Sequence, residues 1–393
     1  MKKYETPLLD ELEKGPWPSF VTEIKRAGEK SEMANDELGQ LEKSFATKRG
    51  YWKHVGIVGV LGYGGGVIGR YSSLPEEFPG VAHFHTVRIN QTSGFYYDTK
   101  SLRTIMDLWD TYGSGLTNMH GSTGDMVMLG CRTEALEPFF AEISSRGWDL
   151  GGSGSAMRTP SCCLGQSRCE WANIDTMDIT YHMTHHFQDE MHRPMWPYKF
   201  KIKVAGCAVD CVAAIARADC SIIGTWRDEI QQDDAEVDNY AKAGMDIQSE
   251  IVDLCPSGCM NYDGSKLAIN NKECTRCMHC ITKMTKALAP GKEKGATILI
   301  GSKAPIVVGS LLSWVVKPFI KVDAPYEELT ELIENIIEWW DDNAKPRERI
   351  GEVIEIKGMR SFLEAIGVKP QPQQIKSPRK DPFFFWADED FEK

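Results

Sequence analysis

The apolar positions of this chain follow two periods, and each period predicts a different element. Strict alternation marks strands. In 198–206, Lys199, Lys201 and Lys203 fall on one face of a predicted strand and Phe200, Ile202 and Val204 on the other. In 83–89, Phe84, Thr86 and Arg88 face one way, and His83, His85, Val87 and Ile89 the other. The valine-rich run 54–61 predicts a buried strand, and 126–129, 220–226 and 296–301 predict further strands. Spacing near 3.6 predicts helices over 37–48, 100–112, 134–146 (stopped by Gly147) and 178–191. Another is predicted over 326–340, where Leu329, Leu332, Ile333, Ile336, Ile337 and Trp340 form one stripe. Asp323 is its expected N-cap, with Glu327 and Glu328 suited to the first turn. A helix is also expected from Cys207 to Ala218, and 118–125 reads as a polar turn. Strands interleaved with helices in this order predict an α+β fold, with helices covering one sheet face.

Shifts in pattern divide the chain into five segments: an N-terminal arm and helix (1–50), a first α+β subdomain (51–150), a second (151–237), an insertion (238–292), and the completion of the core with a tail (293–393). The acidic, glutamine-rich stretch 227–238 precedes the insertion, and the strand pattern resumes at Ala296. Ala304 to Ile320 is apolar and expected to pack on the main body. At 393 residues there is room for two or three domains. A net charge of −11 without a basic tract excludes nucleic acid as a general partner. No apolar run reaches the roughly 18 residues of a membrane span. The start, Met-Lys-Lys-Tyr-Glu, lacks an apolar signal core, so a cytoplasmic protein is expected. In a reducing compartment, twelve cysteines point to metal rather than disulfides.

Two cysteine pairs, Cys163 with Cys169 and Cys207 with Cys211, are spaced C-x5-C and C-x3-C. Thiolates are the soft ligands that iron–sulfur clusters require, and four complete one cubane. The Cys162-Cys163 doublet leaves the first ligand open on spacing alone. The second pair follows directly on the lysine strand, and ammonium groups beside a cluster suit the binding and reduction of an anion. The insertion carries Cys255-Pro256 and Cys274-Thr-Arg-Cys277-Met-His-Cys280. Ferredoxin runs continue as C-x2-C-x2-C-x3-C-P, but here the fourth position is Met284, so Cys255 is the expected fourth ligand. Zinc is the alternative for this set. Cys131 and Cys259 are left over, and Cys220 reads as a core thiol. Gly64 to Gly69 fits G-x-G-x-x-G, but 71–75 does not continue as a helix, which weakens a dinucleotide reading. His182 and His186 lie one turn apart without the glutamate of a zinc-protease helix, and read as packed or solvated.

These cysteine pairs and the lysine strand, together with Gly15-Pro-Trp-Pro-Ser-Phe20, Gly62-Tyr-Gly-Gly-Gly-Val-Ile-Gly-Arg70 and Phe84-His-Thr-Val-Arg-Ile89, resemble the siroheme sulfite and nitrite reductases. The wider match is to the alpha-subunit branch of dissimilatory sulfite reductase, with a ferredoxin-like insertion. The resemblance implies siroheme, or an iron-free tetrapyrrole, and two 4Fe–4S clusters. It selects Cys163 with Cys169, Cys207 and Cys211 for the first cluster, Cys211 bridging to the siroheme iron. Cys255, Cys274, Cys277 and Cys280 hold the second, which takes electrons from a donor. It further implies Arg88, Arg158, Lys199 and Lys201 around sulfite during a six-electron reduction toward sulfide. Arg70, Thr123 and Arg217 would bind the cofactor, while Lys203 is a candidate for a surface salt bridge. The glycine run 62–70 is expected to approach the siroheme closely.

The implied partners are a paralogous beta subunit in an α2β2 assembly and a small cysteine-bearing sulfur-carrier protein. Trp17 and the tail aromatics Phe383, Phe384, Phe385 and Trp386 are expected to dock on another surface. Two alternatives stand beside this function. One is a non-catalytic electron-transfer and scaffold subunit of the same complex; the other is an assimilatory sulfite or nitrite reductase.

Overall fold

The alternating stretch around Val87 lies inside an antiparallel sheet. The structure is a computed structural model describing residues 1–371 and 374, apart from 17, 121–124, 194–195, 304–309 and the side chain of Ile57. The chain divides into two units, Met1–Thr159 with His186–Lys199, and Pro160–His185 with Phe200–Lys393. Both mix helices with sheet, as an α+β fold requires.

In the first unit, β1 (Trp52–Ile57), β2 (Val67–Ser72), β3 (His85–Asn90), β4 (Gly113–His120) and β5 (Asp125–Cys131) run in the order β1-β2-β3-β5-β4. Val87 pairs with Met128 and Ile89 with Met126, so these four share a face. That face is buried with Ile105 and Trp109 of helix Thr99–Tyr112 and with Leu136, Phe139 and Ile143 of helix Thr133–Ser145. The first of these helices starts where Asp98 accepts hydrogen bonds from the Lys100 and Ser101 N–H groups. On the opposite face of β3 lies Arg88, and the Val67–Val87 register places Arg70 there too.

The valine run is not a buried strand. β1 sits at the sheet edge, pairs only with β2, and leaves Val55 56% exposed. The glycine run leads into β2 rather than a helix, which removes the dinucleotide reading. Its glycines serve close packing within the unit: a Cβ on Gly65 would lie 2.4 Å from the Met191 carbonyl oxygen, and one on Gly66 2.6 Å from Leu150. The expected polar turn is in part a strand, because residues 113–120 pair with β5; 121–124, including Thr123, lie outside the described residues.

In the second unit, β6 (Ser161–Cys162), β7 (Ile202–Ala205) and β8 (Cys220–Trp226) pair in parallel. β9 (Gln231–Gln232) precedes the insertion, and along it come β10 (Met260–Tyr262), β11 (Leu267–Ile269) and β12 (Leu288–Ala289). Then β13 (Lys294–Ile300) and β14 (Trp314–Ile320) complete the sheet β14-β13-β8-β7-β6. Every residue of β8 is buried, as befits a central strand. The apolar residues of 230–288 form one core with Trp226 and Cys207. Helix Glu327–Asn343 buries all six residues of its predicted stripe. Its N-cap is Tyr326, in a left-handed conformation (φ 64°), and not Asp323, whose carbonyl accepts the Tyr326 N–H. Among the described residues of the apolar run 304–320, Trp314–Ile320 form the strand; residues 304–309 lie outside the described residues.

Two helices are shorter than their periodicity suggests. The 178–191 pattern breaks at Phe187 into Thr176–His186 and Gln188–His192. After Cys207 only Ala214–Arg217 is helical, because Asp210 and Ala213 adopt left-handed backbone (φ 50° and 52°). The Asp210 carboxylate then accepts from the Ala214 and Ile215 N–H groups.

Candidate metal centres

The first centre is built at the ends of β6 and β7. Cys163 donates its N–H to the Val204 carbonyl, and its Sγ accepts the Gly206 N–H at 3.1 Å. Thr176 Oγ1 donates to the Cys163 carbonyl at 2.9 Å. Gly206 comes this close because Gly224 of β8 lacks a side chain; a Cβ there would lie 2.2 Å from the Gly206 carbonyl oxygen. Cys169 is set by a turn in which its N–H bonds the Gly165 carbonyl. Burial pushes the Cys207 thiol up to about 11, and negative charge on Cys169, Cys163 and Cys211 adds to the rise. Cys211 is raised in the same way, by desolvation first and then by Cys163 and Cys169. Cys162 is buried in β6 and is not among the thiols that act on Cys207.

The second centre gathers more thiols than the ferredoxin pattern requires. Cys255, Cys259, Cys274, Cys277 and Cys280 line one apolar pocket. Burial pushes Cys280 up to about 12, with Cys277 adding to it, and burial and Cys255 raise Cys277. In the run 274–280, Arg276 and Met278 have positive φ of 55° and 72°. Left-handed residues at alternate positions let successive N–H groups converge on an anion, and the Arg276 N–H reaches Cys274 Sγ at 3.4 Å. Several thiols gathered on one apolar pocket suit the soft ligand set of an iron–sulfur cluster.

The cationic residues differ in their surroundings. Arg88 Nη1 bonds Asp125 Oδ2 at 2.9 Å, an ion pair with the carboxylate fully buried. Arg88 Nε, Asn90 Oδ1 and Gln91 Oε1 are buried without a hydrogen-bond partner among the described residues. The Arg88 Nε–H is a donor and fits an acceptor such as a tetrapyrrole carboxylate, whereas the two amide oxygens call for a donor that a carboxylate does not supply. Arg158 is buried, and its Nη1 bonds the Ala156 carbonyl at 3.3 Å. Arg70 is half-buried and Arg217 exposed at the end of its short helix. Lys199 is half-buried, its Nζ 5.0 Å from the Tyr198 ring centroid. The backbone N–H of Lys201 bonds Asp219 Oδ2 at 2.8 Å.

Regular pairing of the lysine strand covers only Ile202–Ala205, and all four residues are buried, so the alternation does not expose Lys203. Lys203 is 3% exposed, and its Nζ donates to the Val212 carbonyl at 3.1 Å, beside Cys211. Burial lowers its pKa, opposed by Asp210. It braces the Cys207–Cys211 loop and is no surface salt bridge.

The periodicity reading also missed Cys259. The five-residue turn Cys255-Pro-Ser-Gly-Cys259 was the available signal, and Cys259 Sγ lies 3.5 Å from Cys255 Sγ. His182 Nε2 bonds Thr330 Oγ1 at 3.1 Å, a packed histidine, and Cys220 is a fully buried thiol pushed up to about 12.

Residues 153–373 match the family model for the nitrite and sulphite reductase 4Fe-4S domain. The alpha subunit of dissimilatory-type sulfite reductase from Nitratidesulfovibrio vulgaris is 49% identical, over 99% of this chain and 96% of its own length. This chain belongs to the dissimilatory sulfite reductase alpha-subunit family. A crystal structure of dissimilatory sulfite reductase I matches with a TM-score of 0.90 at 50% identity, covering 99% of this chain and 96% of that one. The beta subunit of the N. vulgaris enzyme is 24% identical over 72% of this chain and 78% of its own, so the alpha family has a paralogue. Membership makes the chain an oxidoreductase acting on sulfite, with a 4Fe–4S domain. No helix among the described residues is long and apolar enough to cross a membrane.

Proposed function

We propose that this alpha subunit holds siroheme beside a 4Fe–4S cluster on Cys163, Cys169, Cys207 and Cys211, and a second 4Fe–4S cluster on Cys255, Cys274, Cys277 and Cys280. The gathering of the first four thiols, in which Cys163 and Cys169 act on both Cys207 and Cys211, carries the reading. When bound, these groups supply single electrons from a donor and an iron that holds the sulfur of sulfite through a six-electron reduction toward sulfide.

The protein's part is electrostatic and protic. Arg88, Arg158, Lys199 and Lys201 bind and orient the sulfite oxygens, and the two ammonium groups give protons as oxygen leaves as water. Arg70 and Arg217 pair with the tetrapyrrole carboxylates, as guanidinium does bidentately, and Thr123 is a further cofactor-binding residue. Cys211 would be the ligand that the cluster shares with the siroheme iron, a role supported by its being the exposed thiol of its set. The subunit works with a paralogous beta chain in an α2β2 assembly and exchanges sulfur with a small cysteine-bearing carrier. The similarity to a beta subunit supports the first of these partners.

The test is the purified complex. It should show the visible bands of siroheme and oxidise reduced viologen in the presence of sulfite. A haem-free preparation, or one without sulfite-dependent turnover, would overturn the proposal.

A further inference from the structure

The second centre contains one thiol too many. Cys259 is 6% exposed, lines the same cavity as the four proposed ligands, and lies with its Sγ 3.5 Å from Cys255 Sγ. Its backbone is fixed: the Asn270 N–H bonds the Cys259 carbonyl at 2.7 Å, and the next residue, Met260, opens β10 and pairs with Ile269 of β11. The turn joining it to Cys255 is tight, with the Gly258 N–H on the Cys255 carbonyl at 3.0 Å and Gly258 at φ +62°. Two thiols of one short turn therefore face one place from adjoining positions.

We infer that Cys259 is a reserve ligand of the ferredoxin-type cluster, able to take the iron corner assigned to Cys255. The inference rests on the proposed ligand set for that cluster. In the exchange the Fe–S bond to Cys255 breaks as an Fe–S bond to Cys259 forms. The Cys259 thiol gives up a proton and the released Cys255 thiolate takes one up, so there is no net change in protons and no electron is transferred. The displacement is short, about the 3.5 Å between the two sulfurs, and the apolar wall shields the new bond as it shields the old.

The experiment uses the whole complex, purified anaerobically, with iron counted and each cluster's EPR signal recorded after reduction. Cys259→Ala should keep both clusters with the second signal unshifted, since Cys255 serves. Cys255→Ala should keep full iron but shift the second cluster's signal. Cys255→Ala/Cys259→Ala should lose the second cluster alone. Cys255→Ser is read beside Cys255→Ala as a less disruptive variant, and loss of the cluster from both overturns the inference. Retention of the cluster in the double variant, or its loss in Cys259→Ala, overturns it equally. Cys277→Ala separates the two levels: if it keeps the second cluster, the ligand set itself is wrong; if it loses the cluster while Cys255→Ala also does, only the reserve role fails.

Discussion

Arg349 and Asp219 form a bidentate ion pair sealed inside the second unit, and cutting it gives a sharp test of how that unit is held. Arg349 Nε reaches Asp219 Oδ1 at 2.7 Å and Nη2 reaches Oδ2 at 2.6 Å, with the side chains 4% and 1% exposed. Asp219 Oδ2 also accepts the Lys201 N–H at 2.8 Å, so one carboxylate ties helix Ile350–Lys357, just after Arg349, to the stretch before β7. Arg349→Ala removes two charge-assisted bonds and leaves the buried carboxylate with the Lys201 amide as its remaining donor among the described residues. Breaking a buried pair from one side costs about 3–5 kcal/mol, a large share of the roughly 5–15 kcal/mol that holds a protein folded. Replacing both charges, as Arg349→Met/Asp219→Asn, should recover most of that loss, because an asparagine oxygen still accepts the Lys201 amide. Urea midpoints of complexes matched for iron content measure it, with the slope checked for constancy. Arg349→Ala within about 1 kcal/mol of wild type, or a double variant less stable than the single, would refute the reasoning.

Other outcomes follow from the same geometry. His85 is held neutral, its pKa lowered to about 4 by burial and by His83, while Nδ1 accepts the Arg70 N–H. A depressed histidine stabilises the fold above its unfolded value of about 6.5, and that contribution fades as pH falls toward 4. His85→Gln should therefore show a shallower loss of stability than wild type across that window in thermal unfolding; equal slopes would contradict it. Gly224→Ala forces a Cβ into the Gly206 carbonyl and should lower first-cluster iron while the second cluster's EPR signal stays. Cys277→Ala should remove one cluster and leave the siroheme bands intact, and loss of both would show that the two centres are not independent.

Much of this arrangement was legible from periodicity and spacing. The stripe of helix Glu327–Asn343 and the Val87–Ile89 face read correctly because burial on one side writes a period into the sequence. Where burial is two-sided or absent, the pattern misleads. Lys203 continues the alternation of its neighbours yet is buried, because its ammonium finds the Val212 carbonyl; that loop contact leaves no mark in a strand pattern. Val55 looks like core and is exposed, since position at a sheet edge is a property of topology. The helix after Cys207 fails through left-handed backbone at Asp210 and Ala213, which propensity does not foresee. Cysteine spacing picked four thiols for the second centre, while the fifth needed the β10–β11 hairpin to be seen beside them. The aromatic residues Trp17 and Phe383 to Trp386 lie outside the described residues.

The central claim is that this chain's own cations act on sulfite. It is tested most directly by Lys199→Ala/Lys201→Ala introduced in this chain alone, within the cofactor-loaded complex, with sulfite-dependent oxidation of reduced viologen as the readout. Loss of two proton-donating cations predicts a fall of at least about 10²-fold with both clusters and the siroheme bands retained. Full activity in that variant would contradict the account and make the chain an electron-transfer scaffold for its partner.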